Sequence, residues 1–362
     1  NVPNEQKVQM KCRGKFKRTK VPNEVSQQVQ TETSSNCQEY IQDYFSSVKD
    51  IKRSISFEGS VSVSNGDTGC AITVNGIPNH DFNDQSAQFA HGVSEVNRIF
   101  NIPDNPVISN QSIPLSQTYY DAIMLNGVVV DMLSAGCYRP TDSRADSNGN
   151  VQIGCNANAS WLIDPLGSES KFGADAHNAH TQPDGTYHYH GNPLALFDDN
   201  PGLNGSPVIG FAADGFPIFG SYFLDPATNK IRKAISGYTL KEGSRPGLDD
   251  QNPGGEYDGM YIDDYEFTDA GDLDRCNGMV LDGTYGYYVT DNYPWVLKCH
   301  VGTPHTSFSK ASMKVKLKKD FSDSRCNLLS SIKVKLIFLP EESFLTISYI
   351  VDEVVVVFPS GC

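Results

Sequence analysis

The sequence lacks the features that define several large classes of protein. It has no run of 18 uninterrupted apolar residues, and even its most apolar window, residues 336–359, is broken by Pro340 and several acidic residues. We therefore expect no transmembrane segment. Its nine cysteines form no CxxC pair, which argues against a zinc ribbon. No P-loop, GxGxxG or GxSxG motif stands out among its 31 glycines, most of which fall in turn sequences.

Basic residues are scarce in the middle of the chain. Residues 54–300 contain 11 basic and 31 acidic side chains, a local net charge of −20 against −14 for the whole chain. Such a region repels nucleic acid and attracts cations, so we expect no nucleic-acid partner. The Lys-rich ends, residues 1–20 and 310–335, could bind a polyanion, but a solvated surface is the favoured interpretation.

Several features favour a secreted, extracellular protein. The chain begins at Asn1 without a Met or an apolar leader, as expected after removal of a secretory signal. Its cysteines are spread in a way that is typical of disulfide-stapled loops. Sequons at Asn110 and Asn158 predict a glycoprotein, whereas the sequon at Asn204 is followed by Pro207 and is a weaker candidate.

The cysteine count also bears on assembly. Nine is odd, so at least one cysteine is free or joined to another chain, and Cys326 and Cys362 are the favoured candidates. This predicts a disulfide-linked assembly or a homo-oligomer. Candidates for disulfides within the chain are Cys276 with Cys299 and Cys137 with Cys155.

The fold class is predicted from alternation and turns. Apolar residues alternate with polar ones, as at Val61 and Val63 or Ile72 and Val74, and Asn-Gly or Asp-Gly dipeptides recur between such runs. The pattern predicts a mainly β fold, an antiparallel β-sandwich or barrel-like domain with minor helix and disulfide-stapled loops. The helix is expected at residues 84–99, where Phe89, Val93, Val96 and Ile99 recur at helical spacing.

Composition divides the chain into three segments. Residues 1–50 are polar and predict an N-terminal extension, and residues 51–306 form the predicted β domain. Residues 307–362 contain Lys-alternating and Val-rich strands. These C-terminal strands either complete the main core, which we favour, or form a sheet edge that assembly buries.

An internal repeat separates candidate chemistry from structure. Residues 184–190, Asp-Gly-Thr-Tyr-His-Tyr-His, match residues 282–288, Asp-Gly-Thr-Tyr-Gly-Tyr-Tyr, at five of seven positions. On a strand, His188 and His190 share one face while the tyrosines share the other. The second copy has Gly286 and Tyr288 at the histidine positions, so it keeps the aromatic face and loses the imidazoles.

Four of the eight histidines fall within fourteen residues, at positions 177, 180, 188 and 190. A strand HxH pair places two imidazoles close enough to chelate one ion, and an HxxH turn can converge similarly. Imidazole suits copper or zinc, and we prefer metal binding to the alternative that these histidines only hold a polar turn together. The predicted ligands are His177, His180, His188 and His190, with His80 from a distance and Asp175 and Asp184 as second-shell acceptors.

An acidic run at residues 263–274 could bind calcium weakly, although a solvated face explains it as well.

At this point the sequence resembles the YHYH domain family. The resemblance rests on Asn75-Gly-Ile-Pro-Asn-His80, Tyr187-His-Tyr-His190 followed by Gly-Asn-Pro, Gly210-Phe-Ala-Ala-Asp-Gly-Phe-Pro-Ile-Phe-Gly220, Leu273-Asp-Arg-Cys-Asn-Gly278, and Tyr293-Pro-Trp with Cys299 and Gly302-Thr-Pro304. It covers about residues 55–305. It implies a secreted or surface protein with a suspected metal-binding role and no settled activity, and it carries over to His188, His190 and His80. The family pattern often has a second Tyr-His-Tyr-His, from which this chain departs at Gly286 and Tyr288.

Three functions follow from these observations. The first is an extracellular, non-catalytic metal-binding β protein. The second is a structural, matrix or filament-forming glycoprotein that assembles through its C-terminal strands. The third is a metalloenzyme with a His-ligated ion, ranked lower because the sequence offers no recognisable general base beside the histidines.

Overall fold

The computed structural model describes residues 35–87, 89–167 and 173–311, with the backbone of residues 349–351 and 354–356. Cys12, Cys326 and Cys362 lie outside these residues, and so does most of the C-terminal segment. The described structure is mainly β, which confirms the predicted class, and its sheets are open rather than closed into a barrel. Minor helix is present as three short 3-10 segments at Cys37–Tyr40, Ile262–Asp264 and Thr306–Phe308. None of the described helices is long and apolar enough to span a bilayer.

The strands are numbered in chain order. They are β1 Asp43–Asp50, β2 Ile55–Asn65, β3 Gly69–Val74, β4 Arg98–Pro103, β5 Ile113–Pro114, β6 Ala122–Met124, β7 Val129–Val130, β8 Cys137–Tyr138, β9 Asn150–Val151, β10 Ala179–Thr181, β11 Tyr187–Tyr189, β12 Val208–Ala212, β13 Pro217–Phe219, β14 Tyr222–Asp225, β15 Lys230–Lys233, β16 Tyr238–Leu240, β17 Tyr265–Phe267, β18 Gly278–Leu281, β19 Thr284–Tyr288, β20 Cys299–His300, β21 Tyr349–Val351 and β22 Val354–Val356.

Strands β1 to β4 form an antiparallel meander. Its alternating apolar residues, such as Val63 and Ile72, pack against Ile123, Val129 and Phe211 of a second, larger sheet. Because β1 ends at residue 50, residues 35–50, which we assigned to a polar extension, lie within this sheet. A disulfide between Cys37 and Cys70 ties the start of the described chain to β3.

The larger sheet has eight strands in the order β10-β11-β7-β6-β12-β13-β19-β18. One face packs on the meander, and the other packs on loops through residues such as Val130, Tyr189 and Ile218. Adjacent strands are antiparallel except at β11–β7 and β13–β19, which are parallel. The two outermost strands, β10 and β18, are therefore the edges.

The strand order reads as two copies of one four-strand unit, arranged about the β6–β12 pair. In the first unit the hairpin β6–β7 is followed by the hairpin β10–β11, and β11 pairs in parallel with β7. In the second unit the hairpins are β12–β13 and β18–β19, and β19 pairs in parallel with β13. The short sequence repeat is thus one part of a duplicated sheet architecture.

The equivalence holds at the level of single hydrogen bonds. Before β10, the amide of Asp175 donates to Ala179 O and that of His190 donates to Asn178 O. Before β18, the amide of Asp274 donates to Gly278 O and that of Tyr288 donates to Asn277 O. Both asparagines have positive φ, 58° and 73°. Residues 175–179 therefore correspond to residues 274–278.

The helix predicted at residues 84–99 is wrong for the described residues of that segment. They form an irregular loop, and from Arg98 the chain enters β4. Pairing with β3 buries Phe100 and Ile102, while Ile99 is left 45% exposed. Period-2 burial against a neighbouring strand therefore outweighed a weak helical spacing that Gly92 and several Ser and Asn residues do not support.

Two further disulfides hold loops. Cys137 is bonded to Cys155 around the β8–β9 hairpin, and Cys276 is bonded to Cys299. The C-terminal residues form a separate unit, in which the described backbone is the β21–β22 hairpin of the Val-rich run.

Gly286 tests how tightly the second unit is packed. A Cβ at this position would lie 2.5 Å from the ring of Phe219, which itself stacks on Tyr288. We expect Gly286→Ala to lower the free energy of unfolding by about 1–3 kcal/mol through overpacking, measured by urea denaturation. The matched control is Gly247→Ala, since a Cβ there meets nothing within 4 Å, and an equal loss in both variants would contradict the packing.

Candidate metal centre

Three histidines converge on one face of the β10–β11 hairpin. The antiparallel register places His180 directly opposite His188, and alternation puts His190 on the same side as His188. That side faces the meander, because Val129, which pairs with His188, packs there. Strand pairing alone therefore brings the three imidazoles together.

The three rings are mutually close. Each pair of ring centroids is 4.7 Å apart, and one nitrogen from each ring lies within 4.8 Å of the other two. The Nε2 atoms of His180 and His190 are 3.1 Å apart. His188 and His190 are each 3% exposed, while His180 is partly exposed, so the cluster is reached from the side of the edge strand.

Backbone carbonyls orient two of the rings. Nδ1 of His180 lies 2.8 Å from Gly173 O, and Nδ1 of His188 lies 3.3 Å from Thr186 O. Nδ1–H donates to a carbonyl in this arrangement, which leaves the Nε2 lone pair for an ion. Nδ1 of His190 is buried beside the Asp131 backbone and has no well-formed hydrogen bond among the described residues.

The electrostatic environment keeps the two buried rings neutral. Burial lowers the pKa of His188 and of His190 well below the usual value, and the neighbouring imidazoles lower it further. Neutral imidazole is the form that binds a metal.

These residues fit a first-row transition metal. Tetrahedral coordination with Zn–N bonds of 2.0–2.1 Å requires nitrogens about 3.3 Å apart. The His180–His190 distance already meets this value within a few tenths of an ångström. Three nitrogen donors leave one position for a non-protein ligand, which is the arrangement of open sites rather than of closed structural ones.

The other face of β11 has a different role. Tyr187 and Tyr189 are fully buried there, and Tyr189 OH contacts Nε2 of His80 at 2.6 Å. His80 stacks on His177 with a centroid distance of 3.6 Å, and burial lowers the pKa of His80 to about 4. The predicted ligands thus divide into two groups, and His80 and His177 lie on the tyrosine side, away from the three-histidine cluster.

The predicted second-shell carboxylates also lie elsewhere. Asp175 accepts a hydrogen bond from Tyr187 OH at 2.8 Å and one from the backbone of Asn83. Asp184 shapes the turn before β11 by accepting from the Thr186 amide. The acceptors seen at the imidazoles are backbone carbonyls, which carry no sequence signal.

Residues that the sequence analysis did not select flank the cluster. Asp131 follows β7 and donates its amide to Tyr189 O, so it stands beside His190 on the histidine face. Its Oδ2 accepts from Lys310 Nζ at 2.6 Å and from Gln182 Nε2 at 2.5 Å. Burial raises the pKa of Asp131, and burial together with Asp131 raises that of Asp121 well above its usual value.

The acidic run at residues 263–274 is engaged in structure. Asp264 pairs with Arg245 at 2.6 Å, and Asp272 pairs with Arg232 at 2.7 Å. Among the described residues, the metal-ligand groups of three are the histidine cluster and Cys37–Cys70 with Asp104, whose sulfurs are joined in a disulfide. The described residues offer no calcium site of this kind.

Comparison with known proteins gives one match. A family model described as "YHYH protein" matches residues 99–302. No curated protein matches, and no solved structure matches. The matched range contains both four-strand units and all three clustered histidines, but it excludes His80.

The neutral imidazoles predict a pH dependence of stability in the metal-free protein. Below pH 6.5 histidines of the unfolded chain bind protons while buried His188 and His190 do not, so acidification favours unfolding. Between pH 7 and 5 we expect each to contribute a loss of up to about 1.4 kcal/mol per pH unit below 6.5. Urea denaturation with chelator, compared with a His188→Asn/His190→Asn variant, measures this. Identical slopes for both proteins would contradict it.

Proposed function

The chain belongs to the YHYH protein family, and from this premise we propose that it is an extracellular metal-binding protein whose ion is held by His180, His188 and His190. The observation that carries the proposal is the convergence of three imidazole nitrogens within 4.8 Å in a largely buried setting. The activity proposed is binding rather than turnover.

The second four-strand unit argues against a purely structural role for these histidines. In it, Met279, Gly286 and Tyr288 stand at the three positions, and the same hairpin is built. The architecture therefore does not require imidazoles. Burying three polar rings costs free energy unless a partner compensates for the lost hydration, and an ion with three Nε2 ligands is such a partner.

Zinc or copper suits this donor set. Imidazole nitrogen binds both ions, whereas calcium prefers oxygen ligands. The nitrogen spacing is near that of a tetrahedral zinc site, and copper binds most sites of this type more strongly. The acidic charge of residues 54–300 favours cation accumulation around the domain.

An extracellular setting is supported by three disulfides within the described residues. Asn110 and Asn158 are exposed, as glycosylation requires. The assembly alternative depends on the C-terminal strands and on Cys326 and Cys362, most of which lie outside the described residues.

Elemental analysis of chain purified without chelator or affinity metal tests the proposal. We expect near one equivalent of zinc or copper per chain, because one cluster is present among the described residues, and its loss in His188→Ala/His190→Ala. His177→Ala is the matched control and should keep the ion, since that ring stacks on His80 on the other face of β11. Full metal content in the double variant, or no uptake by the wild type after both ions are added back, would overturn the site.

A further inference from the structure

The two four-strand units differ at more than the histidine positions. The elements that hold each hairpin are kept: Tyr187 OH donates to Asp175 as Tyr285 OH donates to Asp274, at 2.8 and 3.0 Å. Tyr189 OH is bound by Asn126, and Tyr287 OH by Asp214, in the equivalent turns of β6–β7 and β12–β13. What the units share is therefore the tyrosine face and its polar anchors.

The opposite face changes as a set. Strand register makes Phe219 the counterpart of Asp131, because Ile218 pairs with Tyr287 as Val130 pairs with Tyr189. The set is His180 and Met279, His188 and Gly286, His190 and Tyr288, and Asp131 and Phe219. In the second unit Phe219 stacks on Tyr288 at 5.1 Å and fills the space over Gly286. Asp131 is thus polar only where the imidazoles are.

Asp131 is built into the first unit with one oxygen held and one left over. It is 4% exposed, and Lys310 and Gln182 both donate to Oδ2. Oδ1 is buried and has no hydrogen-bond partner among the described residues. A buried carboxylate oxygen without a donor is costly, which points to a donor that a ligand supplies.

We propose that Asp131 is a positioning residue of the histidine centre, whose Oδ1 accepts a hydrogen bond from a protic ligand on the bound ion. Asp131 is not itself among the ligands that lie within 4.8 Å of one another. The ligand class is water or another small O–H or N–H donor that occupies the position left open by three imidazoles. This inference rests on the proposed metal binding.

The same carboxylate selects against other ligands. An anion that can only accept hydrogen bonds, such as azide, would face the negative Asp131 rather than a donor, and like charges at short range repel. Lys310 partly offsets this charge through its 2.6 Å ion pair. The centre therefore favours protic ligands over acceptor-only anions.

Azide binding to the Co²⁺-loaded full chain, followed by visible absorption, tests the role of Asp131. Asp131→Asn removes the charge and places an amide there, so we expect azide affinity to rise at least about tenfold with Co²⁺ affinity unchanged. Asp175→Asn is the matched control: it alters a buried carboxylate on the opposite face of β11 and should leave azide affinity unchanged. Lys310→Met, at a partly exposed position, should weaken azide binding because it leaves Asp131 without its counter-ion.

The outcomes separate this proposal from the metal site. Unchanged azide affinity in both Asp131→Asn and Lys310→Met, with Co²⁺ retained, would overturn the role of Asp131 and leave the metal site standing. Loss of Co²⁺ from a folded Asp131→Asn variant would make Asp131 a ligand instead. Failure of the wild type to bind Co²⁺, Zn²⁺ or Cu²⁺ would overturn the proposed function. If Asp131→Asn does not fold, the Lys310→Met shift decides.

Discussion

The register between β10 and β11 is the constraint on which the candidate centre depends. Only the pairing of His180 with His188 places the third imidazole, His190, beside both. A slip of one residue would turn each histidine to the loop-covered face and each tyrosine toward the meander. The register is fixed by the turn at Asp184-Gly185 and by the buried tyrosines, which could not be accommodated on the other side.

The tyrosine face therefore serves the histidine face mechanically. Tyr187 is anchored by Asp175, and Tyr189 is held by Asn126 and His80. These bonds are directional and buried, so they fix the strand more tightly than apolar packing alone. The four-letter alternation that names the family thus combines a structural period with a chemical one along a single strand.

The sequence predicted much of this, and its failures have physical causes. Turn dipeptides and alternation gave the β class, and the HxH spacing selected His188 and His190. His80 and His177 were grouped with them because sequence proximity does not say on which face of a strand a loop residue ends. The helix at residues 84–99 was predicted from spacing without its competing strand partner. Asp131 could have been found by extending the repeat to the earlier hairpins, where Asn126-Gly127 and Asp214-Gly215 mark equivalent turns.

The place of His180 on an edge strand has a kinetic consequence. β10 has three residues, and within the described sheet only β11 pairs with it. Short edge strands open locally more readily than central ones. An ion held by His180 on β10 and by His188 and His190 on β11 would act as a cross-link at that edge. Its release would then be tied to fraying of one hairpin, with the rest of the sheet intact.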